Sequence, residues 1–178
     1  MGGERLFICK SYINRSEMII NNLNKIKNEW KKYFIEVSDE NSILGIADDL
    51  DYIKGSIYLK YGDKIVLDFK LLDYIDQLWA YILNMLEELM SSGCAEMLFP
   101  DQPVKIKLKN ISKENIVMIL EENTCSSWTL PKNEFISTLL NAGEAFFKDI
   151  TKNLNLDEKY YESELNQIQE LKLELGKI

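Results

Sequence analysis

Asp48, Asp49 and Asp51 cluster just ahead of Gly55. Alternating acids open calcium loops, because a hard cation wants several converging oxygens. Counted as such a loop, the fifth position falls on Ile53, the sixth on Lys54 and the twelfth on Lys60. An acid or amide, a Gly and a Glu are needed there. The triplet therefore reads as a solvated acidic turn, and no metal ligand is assigned.

The chain contains no histidine. It lacks the commonest metal ligand and the one side chain that titrates near neutral pH unaided. Acid–base or nucleophilic chemistry would have to rest on carboxylates, Lys, Tyr or Cys. With 29 acidic residues, a carboxylate pair arises by chance, so glycosidase-type pairing selects no residue. The eight glycines match neither a dinucleotide fingerprint nor a P-loop, and no G-x-S-x-G is present. Cys9, Cys94 and Cys125 are scattered and odd in number, without the C-x-x-C of a zinc knuckle or redox pair. The chain reads as a non-enzyme, with no catalytic residue and no cofactor expected.

Two features point to surface contacts instead. Lys105, Lys107 and Lys109 project from one face of a strand. They suit an anion, or simply a wet sheet face whose lysines block aggregation. No aromatic residues interleave with them, as they would in a single-strand nucleic-acid platform. Phe99-Pro-Asp-Gln-Pro103 is a turn stiffened by two prolines, in which Asp101 can bond back to the backbone. It is either a packed corner or a rigid loop offering Asp101 and Gln102 to a partner. Asp101, Gln102, Lys105, Lys107 and Lys109 are thus the candidate partner-contact residues. Trp79 and Trp128 lie on apolar-periodic faces and are expected in the core.

The 178 residues suggest a single domain, with 46% hydrophobic and 28% charged residues in ordinary globular balance. The net charge of −8 repels phosphate backbones and attracts a basic partner, so a protein partner is expected and nucleic acid is not. No apolar stretch reaches membrane-spanning length, so no membrane partner is expected. The first ten residues show no signal pattern, and Leu6 stands where myristoylation wants Ser or Thr. Scattered thiols fit a reducing compartment, and a cytoplasmic bacterial protein is expected.

The elements that would position these residues follow from hydrophobic period. A short strand is expected over Leu6–Ile13. A helix capped by Ser16 carries a stripe from Ile19 to Val37, and an acidic link follows to Asp51. Alternation from Ile57 to Phe69 predicts a β-hairpin. A three-residue loop would pair Tyr61 with Ile65, Leu59 with Leu67 and Ile57 with Phe69, placing all six on one face. Asp73, with Asp76 three residues on, should open the next helix, and Gly93 should end it. Four strands follow: Cys94–Phe99, Val104–Ile111, Ile116–Leu120 and Cys125–Leu130. The third is apolar on both sides and is expected to be covered on both faces. After Pro131, a helix buries Phe135, Ile136, Leu139, Leu140, Gly143, Phe146, Phe147, Ile150 and Leu154. A final amphipathic helix over Asp157–Leu175 either caps the core or pairs with another copy, making a homo-oligomer.

The expected fold is α+β: an antiparallel sheet of about five or six strands with helices packed on it, plus the C-terminal helix. Residues 1–52 form an N-terminal strand, helix and acidic link, 53–154 the core and 155–178 the last helix.

Asp76-Gln-Leu-Trp79 at a helix start, followed by Phe99-Pro-Asp-Gln-Pro103, resembles an uncharacterised family of small bacterial proteins, over roughly Ser56 to Phe147. That family has no established activity, so the resemblance implies no catalytic or binding residue. The sequence thus points to a non-enzymatic interaction protein, in one version an immunity protein or antitoxin masking a basic toxin. The alternatives are a small-ligand domain or histidine-free enzyme with a carboxylate pocket, and an assembly protein using the last helix.

Overall fold

The computed structural model describes residues 6–15, 23–39 and 53–177. Ser16 and the Asp48–Asp51 cluster lie outside the described residues.

Strand β1 (Phe7–Asn14) runs antiparallel to β3 (Lys54–Tyr61), from Phe7 opposite Tyr61 to Ile13 opposite Gly55. Gly55 is required at that crossing, because a β-carbon there would collide with the Tyr12 carbonyl oxygen. The apolar stripe ending at Val37 is not all helix. Helix α1 covers Leu23–Tyr33, and the chain then extends into β2 (Phe34–Glu36). Phe34 and Ile35 are adjacent and both buried, in different hydrophobic clusters. A period of two satisfies both, and Ile35 pairs with Ile13.

The hairpin register also differs from the sequence expectation. The loop has two residues, Gly62 and Asp63, so Tyr61 opposes Lys64 and Lys60 opposes Ile65 in β4 (Lys64–Leu67). Gly62 has φ +56° at the first central position, as a type II′ turn requires. Val66 is then an extra, bulged residue, after which Leu59 opposes Leu67 as expected. The bulge lets Val66 and Leu67 both be buried and leaves Ile65 exposed. The Ile57–Phe69 pairing fails too. Strand β4 ends at Leu67, and Phe69 joins a different hydrophobic cluster from Ile57.

Asp73 does not cap a helix. It forms the short β5 (Asp73–Tyr74) opposite Gly55, and helix α2 (Ile75–Ser92) starts after it with no side-chain cap. Gly93 ends α2 in the left-handed region, donating its N–H to Leu89. The first sheet has the order β2-β1-β3-β4, with β5 on β3.

The second sheet is a meander of β6 (Cys94–Leu98), β7 (Lys105–Asn110), β8 (Asn115–Glu121) and β9 (Cys125–Pro131). Strand β8 is central in order but covered on one face only. Ile116 and Met118 are buried, whereas Val117 and Ile119 are half-buried on the uncovered face. Helices cover the inner side, as is usual for an antiparallel sheet.

Helix α3 (Lys132–Asn153) buries the expected side from Phe135 to Ile150, with Leu154 partly buried beyond it. Helix α4 (Glu162–Leu175) starts later than its apolar spacing suggests, because Asp157 holds a turn through the N–H groups of Lys159 and Tyr160. Tyr161, Ile168 and Leu171 are buried in the main core. Glu144 of α3 ties the helices together, accepting from Lys148, Gln169 and Lys172.

One core cluster draws on both sheets and on α2, α3 and α4. Trp79 is fully buried within it and donates its indole N–H to Ser11 at 3.0 Å. The architecture is α+β with antiparallel pairing throughout, and its strands fall into two sheets rather than one. Among the described residues, no helix is long and apolar enough to cross a membrane.

Candidate functional site

Alternation along β1 sends Phe7, Cys9 and Ile13 towards the main core and Ile8, Lys10 and Tyr12 to the opposite face. Directly opposed residues share a face, so Ile8, Lys60 and Ile65 form one row and Lys10 and Tyr58 the next. Helix α1 covers part of this face with Ile26 and Trp30. Phe69 enters past the end of β4, its ring centroid within 5.6 Å of Tyr12, Trp30, Phe34 and Tyr58. Its ring stacks on Trp30 at 5.0 Å, and Tyr12 meets both edge-on. These geometries are the favoured ones for aromatic pairs.

Beside this cluster lies a cleft of about 430 Å³, lined by Ile8, Lys10, Tyr12, Ile26, Asn28, Trp30, Tyr58, Ile65, Asp68, Phe69 and Lys70. Two of its apolar lining residues stay open to solvent, Ile8 at 41% and Ile65 at 37% exposed.

The rim is locally basic although the whole chain is acidic. Lys10 is neutralised by Glu36, at 2.9 and 3.1 Å. Lys60 and Lys70 have no ion-pair partner among the described residues. Among the described residues, Asp68 is the one carboxylate lining the cleft, and it accepts the Lys70 backbone N–H at 2.9 Å. Burial, with the nearby Glu36 and Tyr58, pushes the Tyr12 phenol up to about 12, so it stays protonated. The lining, among the described residues, offers no nucleophile beside a base and no converging carboxylates. Among the described residues, no group of three or more Cys, Asp or Glu side chains is placed to hold a metal. The arrangement can shield an apolar group from water and hold an anionic neighbour.

The residues singled out by sequence lie elsewhere, in two separate places. Asp101 and Gln102 sit at the corner between β6 and β7, and their backbone N–H groups donate to the Asp73 carboxylate at 3.0 and 3.2 Å. Tyr74 donates to the same carboxylate at 2.7 Å. Gln102 also donates its side-chain amide to the Leu72 carbonyl. Burial pushes the Asp73 carboxyl above its ordinary value, and the three N–H groups pull against that. The Asp101 side chain is half-exposed, 4.0 Å from Lys54.

Lys105, Lys107 and Lys109 lie on the uncovered face of the second sheet. Lys105 pairs with Glu96 at 3.3 Å and Lys107 with Glu121 at 2.7 Å. Lys109 has no ion-pair partner among the described residues. A shallower groove of about 400 Å³ runs between Cys94, Glu96, Lys107, Lys109, Val117 and Ile119. Trp128, expected in the core, is only half-buried.

Sequence reasoning missed the cleft because Tyr12, Trp30, Tyr58 and Phe69 come from four segments. One signal was available. Ile8 and Tyr12 share parity in a strand whose other face is also apolar, so neither face of β1 could be wholly wet. No family model, no curated protein and no solved structure matches this chain.

Proposed function

We propose that this chain is a non-enzymatic protein-interaction module that receives an extended partner segment in the aromatic cleft. The segment carries an apolar anchor with acidic residues beside it. The carrying observation is an aromatic cleft whose own lining leaves the apolar side chains of Ile8 and Ile65 exposed. Exposed apolar surface of this kind, rimmed by polar groups, marks a protein contact, and aromatic pockets bind anchors most strongly.

Charge selects the flanks. The net charge of −8 favours a basic partner at long range, as an immunity protein would need. Among the described residues, Lys60 and Lys70 at the cleft have no ion-pair partner and outnumber the single carboxylate Asp68, and at contact distance local charge sets preference. The test is selection from a random peptide-display library against the full chain. Enriched peptides should carry an aromatic or aliphatic anchor flanked by Asp or Glu. Their amide shift changes should map to Ile8, Tyr12, Trp30, Tyr58 and Phe69. Enrichment of basic peptides, or mapping to the second sheet, would reject this reading.

A further inference from the structure

Among the described residues, strand β9 is an edge without the usual protection. Edge strands expose unpaired backbone groups, and proteins blunt them with charge, proline, bulges or short length. The first sheet does so: β2 has three residues, and β4 has four, starts with Lys64 and is bulged at Val66. Strand β9 pairs regularly with β8 over seven residues, from Cys125 opposite Glu121 to Pro131 opposite Asn115. It carries no charged residue, and its proline is the last position. Cys125, Ser126, Ser127 and Thr129 are exposed, and Trp128 is half-buried.

We infer that β9 pairs antiparallel with β9 of a second copy of this chain, joining the two four-stranded sheets into one of eight. A two-fold axis between identical strands fixes which residues meet, and face alternation requires opposed residues of equal parity. Centred on Trp128, the pairing sets Ser127 against Thr129 twice on one face and Trp128 against Trp128 on the other. Hydroxyl pairs and aromatic pairs are favourable across strands. No like charges meet along the seam, which is what self-pairing demands of a strand in a chain of net charge −8. The exposed part of each Trp128 is covered by its twin. Because the two bodies repel at long range, salt strengthens this association, whereas it weakens capture of an oppositely charged segment.

Sedimentation of the full chain from micromolar to millimolar concentration, at low and high salt, tests the inference. A monomer–dimer equilibrium that tightens with salt is expected. The Ser127→Lys, Thr129→Lys double variant should weaken it at least about tenfold, because charge on a seam opposes pairing. At dilutions where both proteins are monomeric its melting temperature should match the parent's, since both sites are exposed. Leu173→Glu on the outer side of α4 should have no effect. A chain monomeric throughout, or a dimer broken by Leu173→Glu but not by the double variant, would overturn it.

Discussion

The Asp73 carboxylate accepts the backbone N–H of Asp101 at 3.0 Å, so β5 and the β6–β7 corner are one mechanical unit. Gln102 and Tyr74 donate to the same group. The two prolines stiffen the corner that presents the Asp101 and Gln102 N–H groups, and the buried carboxylate accepts them. Asp73→Ala should cost about 1–3 kcal/mol, because it removes a buried acceptor shared by three partly buried donors. Urea unfolding measures this. Asp101→Ala, which keeps the backbone N–H, should cost under about 0.5 kcal/mol, as exposed substitutions do.

Gly55 is a second point where backbone meets backbone. Gly55→Ala would drive a β-carbon into the Tyr12 carbonyl oxygen, which cannot rotate away. A loss of about 3 kcal/mol or more is expected, from overpacking and a broken ladder. In contrast, Gly143→Ala meets the Trp79 ring at 3.2 Å, where a small shift suffices. Its loss should be nearer about 1 kcal/mol. Thermal melts of the two variants should rank them in that order.

Acid stability should depend on Glu144. The Lys148 and Lys172 ammonium groups hold its carboxyl down at about 2, from an ordinary 4.5. A depressed folded value means the unfolded chain takes up the proton first as pH falls. This stabilising contribution is therefore fully present above about pH 4.5 and is lost as pH drops towards 2. Glu144→Gln should lower the melting temperature at pH 6 and lose less on acidification to pH 3 than the parent. Parallel acid profiles for the two proteins would count against the α3–α4 tie.

The three thiols should divide two to one. Cys94 and Cys125 are exposed, whereas burial pushes the Cys9 thiol up to about 12. Thiolate is the reactive form. A thiol-specific reagent at pH 8 should label Cys94 and Cys125 quickly and Cys9 only after unfolding. Mass spectrometry of peptides reads this directly.

Period and punctuation carried much of the fold. Helices α2 and α3 and the strand pattern of the second sheet were legible because Leu78, Ile82 and Leu86, or Ile106 and Leu108, repeat at one spacing. Gly93 was legible as a helix end because its φ is forbidden to most residues. Strand β2 was hidden because Phe34 and Val37 also fit a three- and four-residue spacing. The hairpin register was missed because alternation cannot reveal a bulge, and Val66 interrupts it. Asp73 resembled a cap by type and position, but its partners lie 28 and 29 residues away at the corner. The cleft depended on Phe69 crossing to Tyr12, a long-range packing event with no local signature.

The central claim is that the cleft beside Tyr12 and Phe69 binds a partner segment. The most direct measurement is the affinity of a selected acidic-flanked peptide for the parent chain and for Ile8→Asp. Ile8 is exposed, so the variant should keep its melting temperature while losing about ten- to a hundredfold in affinity. Equal affinity for both proteins, with the fold intact, would contradict the account.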